Sequence, residues 1–139
     1  MRWLTLCVVA TAWLTSLGTA HAGDLEDGQA YYLKACGRCH GPIVGDVVAG
    51  GPSRYLTYVM MPPYGPPLKD VFGRPAGADE SFEYSAGFRE ATEGLVWTAE
   101  TLDRFLLDSR AMIPGSTMFF KEPDAEKRRL VILYLEANS

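Results

Sequence analysis

Five consecutive residues, Cys36-Gly37-Arg38-Cys39-His40, bring two thiols and an imidazole together on a stretch short enough for a single helical turn or two. C-x-x-C-H is the attachment signature of c-type haem. The two thiols add across the two vinyl groups of the porphyrin, and the next residue offers its imidazole to the iron. The spacing is set by the distance between the vinyls and by a helical turn that aims the histidine at the metal. Two other chemistries use similar residues. A C-x-x-C pair in an exported protein can form a redox disulfide, but that chemistry has no need of a histidine directly after the second cysteine, and no β-rich pattern surrounds the motif. A structural zinc site takes four ligands, and two cysteines with one histidine do not supply them.

The remaining cysteine and histidine, Cys7 and His21, fall in a segment that reads as a leader. Arg2 forms a charged start, Trp3 to Leu17 an apolar run, and Ala20-His21-Ala22 an A-x-A cleavage pattern. The run is short for a membrane span and is interrupted by Thr11, Thr15 and Ser16. Residues 1–22 are therefore expected to be a cleaved signal peptide, with export to a bacterial periplasm and no membrane insertion afterwards. Cys7 lies too early in the run to carry a lipid. The chain has a net charge of −4, and losing Arg2 would take it to −5. There is no basic run, so nucleic acid is excluded as a partner. Residues 23–139 make one small domain with a modest apolar core, which a buried macrocycle would enlarge.

The elements that must position the motif read as short helices joined by Gly- and Pro-rich loops. Asp24 is an N-cap candidate for a helix to about Lys34, carrying Tyr31 and Tyr32 up to the motif. Gly28 within it marks either a close approach to another helix or a tolerated surface glycine. A second helix is expected from Thr98 to about Asp108, with Leu102, Phe105 and Leu106 at helical spacing. A third starts near Glu122-Pro123-Asp124 and runs to about Ala137, with Leu130, Leu133, Tyr134 and Ala137 on one face and Val131, Ile132 and Leu135 widening it. No strand pattern or internal repeat stands out. A sixth iron ligand must come from Met60, Met61, Met112 or Met118, each of which could equally be core filler. Met118 has the most suitable context, the turn-rich run Ile113-Pro114-Gly115-Ser116-Thr117-Met118-Phe119-Phe120 between two helices.

Over nearly all of residues 23–139 the chain resembles a class I c-type cytochrome, the family of mitochondrial cytochrome c and its small soluble bacterial relatives. The resemblance runs through Gly23 to Gly28 with Tyr32, the C-x-x-C-H motif, Gly65-Pro66-Pro67-Leu68, Phe72-Gly73-Arg74 with Gly77, Phe82 to Ser85, Gly94 to Trp97, Ile113 to Met118, and Tyr134. It implies an all-α fold of short helices wrapped around one covalently bound haem c, with N- and C-terminal helices packed together. It implies thioether bonds at Cys36 and Cys39, with His40 and Met118 as axial ligands. The Pro66 carbonyl would accept the Nδ1 proton of His40, and Arg74, Tyr84 and Trp97 would face the propionates.

Three departures qualify the resemblance. The stretch 41–64 is longer than in mitochondrial cytochrome c and reads as a loop insertion holding Met60-Met61-Pro62-Pro63. Phe105 stands where many relatives have a tyrosine that hydrogen-bonds the methionine sulfur. The lysines that ring the haem edge in the mitochondrial protein are mostly absent. The expected function is outer-sphere electron transfer by a monomeric periplasmic carrier, between a dehydrogenase or respiratory complex and a terminal acceptor. Its acidity predicts transient docking to redox partners with a basic patch. Two other classes stay open at this point: a haem enzyme or ligand sensor with a labile sixth site, and a haem subunit of a larger complex.

Overall fold

The computed structural model describes residues 22–43 and 64–139. The proposed leader, Met60 and Met61, and all of the 41–64 insertion except its ends lie outside the described residues. The fold is helical: α1 (Ala22–Ala35), α2 (Gly37–His40), α3 (Ala86–Ala91), α4 (Ala99–Leu107), α5 (Ser109–Met112) and α6 (Ala125–Ala137). Among the described residues no strand forms. One isolated antiparallel bridge pairs Pro75 with Val96, and the Gly73 and Ala76 amides bond the carbonyls of Trp97 and Leu95 beside it.

The N- and C-terminal helices, α1 and α6, pack directly on one another. Gly28 makes the approach possible, because a Cβ there would come within 2.3 Å of the Leu130 carbonyl oxygen and 3.0 Å of Tyr134 Cβ. The close-approach reading of Gly28 therefore holds. Tyr32, with 0% of its surface exposed, sets its ring 5.2 Å from that of Tyr134 across the same seam. The Tyr31 hydroxyl bonds Glu122, just ahead of α6. α1 begins at Ala22, two residues before Asp24, which is not its N-cap. Asp24 instead sits in the first turn, where a negative charge suits the helix dipole, and meets Arg129 of α6 at 3.1 Å.

α4 starts at the residue expected. Thr98 and Thr101 form a reciprocal capping box. Leu102, Phe105 and Leu106 are buried. α6 is capped by Asp124, whose carboxylate accepts from the Glu126 and Lys127 amides. It is covered on two sides, by α1 and by α4, so its buried set is Arg128, Val131, Ile132, Tyr134 and Leu135. Leu130 and Leu133 are half-buried and Ala137 is exposed, which shifts the inner face from the one periodicity alone suggests. Arg128 is tolerated inside because Asp103 and the carbonyls of Glu122 and Pro123 take its guanidinium at 2.7–3.0 Å.

Candidate functional site

The motif sits where α1 ends and α2 begins. The Cys36 amide bonds the Tyr32 carbonyl at 2.8 Å and the His40 amide bonds the Cys36 carbonyl at 3.0 Å, so the five residues ride on nearly continuous helix. Gly41, at φ +76°, ends it, and the buried Tyr32 hydroxyl donates to the Gly41 carbonyl at 2.8 Å. Cys36 and Cys39 are free thiols, Cys36 buried and Cys39 exposed. Burial, with Cys39 adding to it, pushes the Cys36 thiol up to about 12. Reactive redox cysteines are depressed instead, so Cys36 itself is not placed as an attacking thiolate.

The chain returns onto the motif at Gly65, whose amide donates to the Cys39 carbonyl at 2.9 Å. A Cβ on Gly65 would lie 2.5 Å from the His40 ring, so only glycine allows this backbone to lie flat against the imidazole. The next residue completes the contact: His40 Nδ1 lies 2.7 Å from the Pro66 carbonyl oxygen. A carbonyl can only accept, so Nδ1 carries the proton and Nε2 is the nitrogen left with a lone pair. Burial lowers the His40 pKa more than this bond raises it, which keeps the ring neutral. Two thiols and one neutral, oriented imidazole are the donors a covalently attached haem requires. Among the described residues no cluster of three or more His, Cys, Asp or Glu side chains could hold a bare metal ion. The donor set fits haem and does not fit zinc.

Arg74 ties the loop after Pro66 together. Its guanidinium reaches the Pro67 carbonyl at 3.0 Å, the Lys69 carbonyl at 3.5 Å and Asp79 at 3.3 Å. Tyr84 is half-buried and stacked on Phe88 at 5.1 Å, with Arg89 5.7 Å from its ring centre. Desolvation raises its pKa, with Arg74 as the main opposing influence, so Arg74, Asp79 and Tyr84 form one neighbourhood. Trp97 is buried against Phe105 at 5.1 Å. Its backbone pairs with Gly73 and Arg74, so both residues belong to one ladder.

Met118 is half-buried and packs against the same apolar core that contains Cys36. The loop before it is held by α3, which sequence periodicity did not reveal because it has six residues. Gly87 of α3 touches Gly115 so closely that a Cβ on Gly115 would meet the Gly87 backbone at 2.3 Å. Ser85 caps α3 through the Phe88 amide and gives its own proton to the Gly115 carbonyl at 2.7 Å. Ser109, which no motif marks, and Ser116, within the run already singled out before Met118, bond the Met118 backbone. Met112, the other described candidate, closes α5 and is likewise half-buried.

No family model matches the chain. It is 36% identical over 119 residues to cytochrome c 2.1 of Caenorhabditis elegans, an alignment covering 85% of this chain and 92% of that one. Among solved structures it resembles cytochrome c2 from Rhodospirillum centenum, at a TM-score of 0.66 and 30% identity, over 84% of this chain and 99% of that one. Cytochrome cH from Methylobacterium extorquens superposes with a TM-score of 0.62 and 25% identity, over 83% and 99% respectively.

Proposed function

This chain belongs to the cytochrome c family, and on that premise we propose that it carries single electrons with His40 and Met118 as the axial ligands of its haem. Members of the family carry one covalently bound haem c and are electron carriers, not enzymes. When bound, haem supplies a metal centre that gains and loses one electron. The rest of the work falls to the chain's own residues. Cys36 and Cys39 would hold the group covalently, each thiol adding its sulfur and hydrogen across one vinyl group, an addition that needs no oxidant. His40 presents Nε2, and Pro66 holds the opposite ring proton, fixing both tautomer and ring plane. Met118 would supply a thioether ligand to the iron, a ligand that with histidine raises the reduction potential and would leave no open position for substrate. Arg74, Tyr84 and Trp97 would pair with or hydrogen-bond the propionates, since a carboxylate taken out of water must be paired or hydrogen-bonded. Arg74 has five N–H donors and makes three contacts to protein, so it retains capacity for an anion.

The observation that carries this reading is the 2.7 Å contact between His40 Nδ1 and the Pro66 carbonyl beside two free thiols. It supports an imidazole already oriented for a metal. The setting we propose is a bacterial periplasm after removal of residues 1–22. The protein would act there as a monomer, with the 41–64 insertion contributing to partner contacts. Among the described residues no helix is long and apolar enough to cross a membrane. The net charge, −4 for the whole chain and −5 once Arg2 is lost, favours brief, salt-dependent docking to redox proteins that present a basic patch.

Substitution of Met118 by Ala tests the ligand assignment. The haem should stay attached through denaturation, the methionine–iron absorption of the oxidised form should vanish, and the reduction potential should fall. An unchanged spectrum and potential would reassign the ligand to another methionine. Ready carbon monoxide binding by the reduced wild-type protein would instead favour a sensor or peroxidase-like enzyme with an open sixth site.

A further inference from the structure

We propose that Ser109 is a positioning residue that keeps Met118 in place, an inference that rests on Met118 being the sixth ligand. From Ser116 to Asp124 the chain runs in neither helix nor strand. Its peptide groups must therefore find partners outside any regular ladder. Ser109, the first residue of α5, supplies them from a position with 0% exposure. Its amide donates to the Phe120 carbonyl at 3.1 Å. Its hydroxyl oxygen accepts the Phe120 amide at 3.0 Å. The hydroxyl proton lies between two acceptors, the Met118 carbonyl at 3.1 Å and the Phe120 carbonyl at 3.0 Å. Two residues further on, the Glu122 amide bonds the Leu106 carbonyl at 2.9 Å, extending the attachment toward α4.

The other side of the Met118 peptide is held as well. Its amide donates to Ser116 Oγ at 3.1 Å, and Ser116 is buried. Met118 thus has its amide bonded to one buried serine and its carbonyl to another. That leaves the flexible thioether side chain as its main remaining freedom. The outer face of the segment is far less restrained. Phe119 is 84% exposed, with the Arg110 guanidinium 5.0 Å from its ring centre. Retention of the ligand then depends on how often the inner attachment opens. Removing the Ser109 hydroxyl would leave the half-buried Phe120 amide without its acceptor and the Met118 carbonyl without its Ser109 donor, while the Phe120 carbonyl would keep the Ser109 amide. Opening should become easier by about tenfold or more, the factor that corresponds to one such unmade bond.

Imidazole binding to the oxidised, haem-loaded protein reads this directly, because imidazole competes with the methionine. Ser109→Ala should bind imidazole about tenfold more tightly than wild type or better, and should lose the methionine–iron absorption at lower imidazole concentration. Ser109→Thr, which keeps the hydroxyl but adds a methyl to a fully buried site, should gain less imidazole affinity than Ser109→Ala. Val131→Ala, buried in α6, should lower overall stability without that gain. Equal imidazole affinity in Ser109→Ala and wild type would overturn the proposal, as would an equal gain in Val131→Ala. Met118→Ala separates the two claims. If it binds imidazole no better than wild type, Met118 is not the ligand and both readings fall. If it binds tightly while Ser109→Ala is unchanged, only the role of Ser109 falls. Amide exchange covers a variant that does not fold: in wild type, imidazole should speed exchange at Phe120, and unchanged protection there would overturn the proposal.

Discussion

At the scale of single residues, the site depends on what is missing from Gly65 as much as on what His40 contributes. A methyl group at Gly65 would stand 2.5 Å from Cε1 and 2.6 Å from Nδ1 of the imidazole, well inside contact distance. The ring cannot retreat without stretching its 2.7 Å bond to the Pro66 carbonyl. Gly65→Ala should therefore cost about 1–3 kcal/mol of unfolding free energy, the usual price of overpacking, and should shift the reduction potential because the proximal ring must tilt. Gly37 provides the control. The nearest atom to a Cβ there is 3.7 Å away, an ordinary contact, and it lies in helix. Gly37→Ala should be neutral or stabilising by a few tenths of a kcal/mol. Urea unfolding of the two variants separates the cases, and equal stability for both would mean that the proximal loop is not held against His40.

Among the helices, packing decided what periodicity could only suggest. α1, α4 and α6 were legible because nine to fourteen residues give a helical pattern room to repeat, and Thr98 and Asp124 mark the starts of α4 and α6, whereas Asp24 misplaces that of α1. α3 was not legible, because six residues hold less than two turns of pattern and its partner, Gly115, is 28 positions from Gly87. The motif itself was readable since its chemistry is local, five residues on one helical stretch. Ser109 was not, because its meaning depends on a chain reversal that brings Met118 and Phe120 back to it. Gly28 lies between these cases: its presence in a helix was visible, but its purpose needed the Leu130 carbonyl. Backbone oxygen 2.3 Å from a new Cβ cannot swing aside as a side chain can. Gly28→Ala should thus lose about 1–3 kcal/mol despite the better helix propensity of alanine. Thermal unfolding would show it as a drop in Tm, and a rise would place α6 further from α1 than the seam described.

Over the whole molecule, an acidic chain with its charges fastened to loops should lose stability in acid by a definite route. Asp79 has a side chain only 12% exposed and accepts from the Ser81 hydroxyl at 2.5 Å, the Ser81 amide at 2.9 Å and Arg74 at 3.3 Å. The Ser81 hydroxyl bond, more than the others, holds its carboxyl below the ordinary value of 3.8. Glu122 is held below its ordinary 4.5 chiefly by the Tyr31 hydroxyl, which ties α1 to the approach to α6. For a group whose pKa is lower folded than unfolded, the folded state binds fewer protons. Its contribution is complete above the unfolded value and disappears as pH falls through the folded one. Both carboxylates therefore stabilise the protein fully at neutral pH, and their contribution begins to fall below about pH 4 and goes on falling as each folded carboxylate takes up its proton. Asp79→Asn keeps the shape and removes the charge, so it should cost about 1–2 kcal/mol at pH 7, the worth of hydrogen bonds to an ionised acceptor. That deficit should shrink as pH falls below the ordinary carboxylate value of 3.8, as wild-type Asp79 itself takes up a proton. Denaturant unfolding of both proteins at pH 7 and pH 3 measures the difference. A deficit of equal size at both values would show that Asp79 acts through shape alone, and the acid limb would then have to come from Glu122 and the link between α1 and α6.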